Sequence, residues 1–135
     1  MSKSPNRALA TTIGVLYVII GVFGVASTNN ATLFGKQGGY LFNLFEVNIS
    51  SNALHVLIGL GLIIAGASST SAARRLNTII GVILLVLGVI GFPLLNNDAN
   101  IFAVNIATNI LHLATAVLLL LTALGAERPA PRAVA

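Results

Sequence analysis

Cysteine is absent from this sequence, so disulfides, thiolate zinc sites, iron–sulfur clusters and thiol nucleophiles are excluded together. Acidic residues are almost absent as well: Glu46, Asp98 and Glu127 are the only three. No Ser-His-Asp order, phosphate loop or His-x-x-x-His spacing accompanies them, so no catalytic residue, no metal site and no enzyme is expected. Charge of either sign is scarce, at 7% of residues against roughly a quarter in a soluble domain. That is too little to cover a water-facing surface. The seven Lys and Arg stand singly or in one pair, with no interleaved aromatics, so nucleic acid is excluded as a partner despite a pI near 10.4.

What is present is apolar: 56% hydrophobic residues and a mean hydropathy of +0.97. Four uncharged runs, at 8–26, 50–67, 76–95 and 106–124, each have the length a helix needs to cross about 30 Å of hydrocarbon. They do not alternate as barrel strands would, and in lipid a helix satisfies its own backbone. The expected fold is all-α, a four-helix transmembrane bundle forming one integral membrane domain over 1–135. Its solvent and first partner is the lipid bilayer. Six basic residues (Lys3, Arg7, Arg74, Arg75, Arg128, Arg132) flank one side of the spans and only Lys36 the other. The positive-inside rule then places the protein in the cell membrane with both termini in the cytoplasm. The first run has a basic start and small residues near Ala26, but its apolar core exceeds that of a signal peptide, so it is expected to be retained. The tail, 127–135, carries Pro129 and Pro131 and is expected to be disordered.

The chain repeats itself. Residues 45–55 read F-E-V-N-I-S-S-N-A-L-H and residues 102–112 read F-A-V-N-I-A-T-N-I-L-H. Upstream, residues 14–24 and 81–91 match through glycines at 14/81, 21/88 and 24/91. The order is therefore two tandem hairpins, and copies with an even number of spans share one topology. This predicts a pseudo-twofold axis along the membrane normal. Gly14, Gly21, Gly24, Gly81, Gly88 and Gly91, with Gly59 and Gly66 in the second span, are expected to let helix backbones approach closely. His55, Gly59, Leu62 and Gly66 share one helix face, as do His112, Ala116, Leu119 and Ala123, and these faces are read as the seam toward the bundle interior. The first interhelical loop is ten residues longer than its counterpart. Its Asn29-Asn30 and Gly38-Gly39 pairs suggest turns, and its aromatic run at 40–45 a segment lying at the membrane interface. Residues 30–32 fit a glycosylation sequon.

Asn48, Asn52 and His55 are spaced by four and three, and so are Asn105, Asn109 and His112. Each triplet fits one helix face, with Asn48 or Asn105 available to cap the helix start. Ionisable groups two turns into a span should face the interior with a partner. The working expectation is a structural hydrogen-bond clamp pairing Asn52 with His112 and Asn109 with His55. Bis-histidine haem ligation and passage of protons or solutes past the histidines are the open alternatives. Two histidines are too few for a closed zinc site.

At these residues the chain resembles a bacterial family of small four-span membrane proteins, the Domain of Unknown Function 4383 family. The matching positions are Phe45-Glu46-Val47-Asn48, Asn52, His55, Asn105, Asn109, Leu111 and His112, and the resemblance covers residues 8–124. The family pattern favours a further His where this chain has Ser51 and an Asp where it has Thr108, so two possible ligands are missing here. The resemblance implies a fold and a compartment, and no activity. The expected function is a non-enzymatic structural or accessory membrane subunit without a cofactor, with another membrane protein or a second copy of itself as candidate partner. The alternatives are a small channel or carrier with His55 and His112 in its path, and a haem-binding electron carrier.

Overall fold

The structure, a computed structural model, describes residues 4–28 and 32–127. The Asn29-Asn30 turn, Asn30 and Ala31 of the sequon, Lys3, Arg128, Arg132 and the tail beyond Glu127 lie outside the described residues. Four helices carry the fold: α1 (Pro5–Ser27), α2 (Ile49–Ser68), α3 (Thr70–Leu94) and α4 (Ile106–Gly125). All four are long and apolar enough to span a membrane.

Each helix begins where the sequence offers an oxygen to its orphan amides. The Ser4 side chain accepts from the Arg7 amide, with Pro5 in the first turn, where its missing N–H costs nothing. Asn48 caps α2 in a reciprocal box with Ser51, and Asn105 caps α4 by accepting from the Thr108 amide. α3 ends at Leu94, one residue after Pro93.

One expectation needs correction. Arg74 and Arg75 were expected between the second and third spans. Instead α3 begins at Thr70, and both arginines lie inside it. Ser69 alone joins the helices, as the C-cap of α2 and the N-cap of α3, where its side chain accepts from the Ala72 amide. Hydropathy missed this turn because charged residues interrupt the apolar run without interrupting the helix. The long first loop, where turns and an aromatic segment at the interface are expected, contains a small antiparallel hairpin, β1 (Gly39–Leu41) paired with β2 (Phe45–Val47). Phe42 and Asn43 turn it with positive φ. Gly39 lies on the Ser27 carbonyl, where any side chain would collide with α1.

Small residues set the spacing within each hairpin. A Cβ at Gly14 would stand 2.7 Å from the Gly59 carbonyl oxygen, and one at Gly59 would stand 2.6 Å from the Gly14 carbonyl oxygen. Such backbone-to-backbone contact is how helices gain dispersion energy in lipid. Gly66 packs on Thr11, Gly21 on Asn52 and Val56, Gly81 on Leu119 and Leu120, and Gly88 on Leu113 and Asn109. Aligned through the glycines, the seven buried positions of α1 (Asn6, Ala10, Ile13, Gly14, Tyr17, Gly21, Gly24) correspond one for one to those of α3. The core they share with α2 and α4 centres on Leu62, Leu84 and Leu119, all fully buried.

The terminal end of the bundle carries a device that charge counting did not show. Arg7 donates from Nε to the Gly66 carbonyl (2.8 Å) and from Nη2 to the Ala67 carbonyl (2.9 Å), covering the C-terminus of α2. Arg74 donates from Nε to the Ala123 carbonyl (2.7 Å), covering the C-terminus of α4. A cation there satisfies unpaired carbonyls and opposes the negative end of the helix dipole. Arg7→Met and Arg74→Met should each lower stability in detergent by about 1–2 kcal/mol. Arg75→Met, on the exposed face, should stay within about 0.5 kcal/mol. Equal effects at all three positions would rule out the capping role.

Candidate functional site

The Asn–His motifs fall into three levels. Asn48 and Asn105, as extended N-caps, stand outside the helical stripe and tie the loops together. Asn48 Nδ2 donates to the carbonyls of Gly35 (3.0 Å) and Ile101 (2.9 Å), while the Gly35 amide also donates to Ile101 (3.0 Å). Asn105 Nδ2 reaches the Leu44 carbonyl at the β-hairpin (2.9 Å). Lys36 and Asp98 close the same end with a 2.7 Å ion pair between the two loops. The Lys36 hydrogen bond and charge hold the exposed Asp98 carboxyl below its ordinary value.

One turn into α2 and α4, Asn52 and Asn109 fill the notches left by Gly24 and Gly91. A glycine is required there because any Cβ would overlap the amide. The expected clamp does not form. Both side-chain polar atoms of Asn52 and of Asn109, both ring nitrogens of His55 and Nδ1 of His112 are buried without a hydrogen-bond partner. The notch turns each asparagine toward the first helix of its own hairpin, which is why the diagonal pairing is lost.

His55 and His112 meet at the third level, their ring centroids 5.9 Å apart and their planes tilted by 44°. Tyr17 packs its phenol against His55 at 5.4 Å. Beside the pair lies a cavity of about 70 Å³ between α2 and α3, roofed by residues 99–104. Its walls are almost wholly apolar (Leu54, Ile58, Leu84, Leu87, Ile90, Leu94), and His55 and His112 are among the residues that line it. Its other polar residues are already engaged. Ser51 Oγ donates to the Asn48 carbonyl, Asn100 exchanges two bonds with the Val104 backbone, and Thr108 Oγ1 bonds Asn105. No group of three or more metal-ligating side chains occurs among the described residues.

A second polar cluster, missed in the sequence, lies at the terminal end. Asn77 Nδ2 donates to both the carbonyl and the side-chain oxygen of Asn6 (3.1 Å each). Asn6 Nδ2 donates to Glu127 Oε2 (2.8 Å) and to the Thr122 carbonyl (3.4 Å). Slight burial would raise the Glu127 carboxyl, but hydrogen bonds from Ser4 and Asn6 outweigh it and hold the group below its ordinary range. Glu127, expected in the free tail, is thus tied to α1. Asn6, just ahead of the first apolar run, and Asn77, near the start of the third, were the available signal, and nothing in the repeat paired them. Between the two polar levels sits the apolar layer of Leu62, Leu84 and Leu119 with Ile13, Ile80 and Ala116.

No curated protein and no solved structure matches this chain. Residues 7–125 match the family model described as domain of unknown function (DUF4383). With four membrane-spanning helices built from that stretch, the chain belongs to the DUF4383 family and is a membrane protein of it.

Proposed function

We propose that the protein is a non-enzymatic structural or accessory subunit of a bacterial cell membrane, with both termini cytoplasmic. Its two hairpins are copies related by a pseudo-twofold axis along the membrane normal. Its partner is another membrane protein or a second copy of itself. The observation that carries this reading is the sealed apolar layer. Leu62, Leu84 and Leu119, fully buried from three helices, separate the histidine level from the asparagine level at the other end. This supports a packing role for the polar groups over a path across the bilayer. Rings 5.9 Å apart beside a cavity of about 70 Å³ leave no room for a porphyrin, which supports a cofactor-free bundle over a haem carrier.

Capture of the tagged protein from native membranes, read by mass spectrometry, should return a stoichiometric membrane-protein partner or its own untagged copy. Recovery of the protein alone, together with histidine-dependent proton flux in liposomes, would reject the subunit reading. The orientation has its own test, motivated by the basic residues that gather at one end of the spans. A reporter fused after Ala135 should be active in the cytoplasm and one inserted near Gly38 outside it, and the reverse pattern would overturn the assignment.

A further inference from the structure

We propose that the β-hairpin at the loop end of the bundle is a membrane anchor, with Tyr40, Phe42 and Leu44 inserted into the interfacial layer of the bilayer beside α4. The hairpin has two unlike sides. Leu41 and Val47 are buried against the bundle, whereas Tyr40, Phe42 and Leu44 are 56%, 67% and 53% exposed. Large apolar side chains gathered on one exposed element mark a contact surface.

The occupant follows from where the hairpin stands. Three helix ends hold it. Gly39 lies on the Ser27 carbonyl at the end of α1. Val47 leads directly into Asn48, the cap of α2. Asn105, the cap of α4, donates to the Leu44 carbonyl (2.9 Å). The hairpin is therefore at the depth where these spans leave the hydrocarbon, the layer in which aromatic rings settle. Ile106, next to Asn105, and Ile110 one turn on are exposed too, so the lipid-facing surface of α4 continues up to the hairpin tip. The polar groups suit a half-dry layer, where an open backbone group is costly. The strands pair with each other, and the Leu44 amide donates to the Leu41 carbonyl (3.1 Å). The carboxylate of Glu46, opposite Tyr40, accepts from the Gly38 amide (3.1 Å). Lys36, the one cation of this loop, is already paired with Asp98. Attachment thus rests on rings and aliphatics, and does not require anionic lipid. The shorter second loop carries no such hairpin, so the anchor is one-sided, toward α1 and α4.

The inference is independent of the subunit reading, since it is measured on the isolated protein. The chain has no tryptophan, so Phe42→Trp supplies a single indole at the tip. In lipid nanodiscs its emission should be blue-shifted and resist quenching by acrylamide. It should be lost in lipids brominated near the top of the acyl chain and kept in lipids brominated near the terminal methyl. The loss should be the same in neutral and anionic nanodiscs. Leu44→Trp should repeat the pattern, and it serves in place of Phe42→Trp if that variant does not fold. Phe42→Ser with Leu44→Ser, made in Tyr40→Trp, should leave melting in detergent unchanged but open the indole to acrylamide in nanodiscs. Tip indoles quenched by acrylamide as freely as tryptophan amide, with no loss in brominated lipid, would overturn the anchor and turn this face toward water and a partner protein. Quenching that needs anionic lipid, or a Tyr40→Trp indole unmoved by the serine pair, would overturn it as well.

Discussion

Gly59→Leu should be among the most damaging single substitutions in this protein, with Gly14→Leu close behind. At this crossing each glycine's missing side chain would point at the other helix's backbone. Added carbon would lie 2.6–2.9 Å from Gly14 or Gly59 carbonyl oxygens and from the Val18 and Ile63 amides. Backbone cannot swing aside, so the hairpin must separate and lose contact along its length. Overpacking typically costs about 1–3 kcal/mol, and the upper part of that range is expected here. The second hairpin should be more forgiving. A Cβ at Gly81 meets Leu120 and one at Gly88 meets Leu113, side chains that can change rotamer. Gly81→Ala and Gly88→Ala should therefore cost less than Gly14→Ala and Gly59→Ala. Gly125, with nothing near its Cβ position, gives the control: Gly125→Ala should be neutral or gain up to about 1 kcal/mol from helix propensity. Unfolding in detergent, followed by helicity, orders these variants. If Gly59→Ala and Gly88→Ala prove equal, the backbone contact is not what limits the first hairpin.

Asn77→Ala should lower stability by about 1–3 kcal/mol, since it leaves buried Asn6 oxygens without their donor in a low-dielectric interior. Asn6 and Asn77 are both fully buried and join α1 to α3, so they tie one hairpin to the other. Asn6→Ala loses that contact and also its bonds to Thr122 and Glu127, and should cost at least as much. The double variant should cost less than the two single effects added, because both remove the same interaction. Simple additivity would mean the asparagines do not share a network. Asn77→Leu offers a further contrast. It leaves the same Asn6 side-chain oxygen unsatisfied while retaining apolar volume, so a smaller loss than in Asn77→Ala would assign the difference to packing.

Span number, helical class and family could be read directly, because each rests on local properties. Four runs of apolar residues without charge have few places to go other than across a bilayer, and the Asn-x-x-His spacing of 52/55 and 109/112 marks a helix face whatever surrounds it. The N-caps at Asn48 and Asn105 followed from the same local logic. The repeat also indicated which faces are buried, since the small residues recur at fixed intervals.

Partner choice was decided only in three dimensions. Asn52 and Asn109 had equal sequence claims on the histidines and on the glycines, and the depth of the Gly24 and Gly91 notches drew them to the glycines. Arg7 and Arg74 read as charges marking a membrane side, yet they cap the C-terminal ends of helices at carbonyls 59 and 49 residues further along the chain. Asn6 and Asn77 met although they are not equivalent positions in the repeat. The β-hairpin formed in a loop whose residues carry no strand periodicity, held by the end of α1 and by Asn105. In each case the deciding contact joins residues far apart in sequence. A pattern of residue types records which groups need a partner, but the packing of the helices determines which one each group can reach.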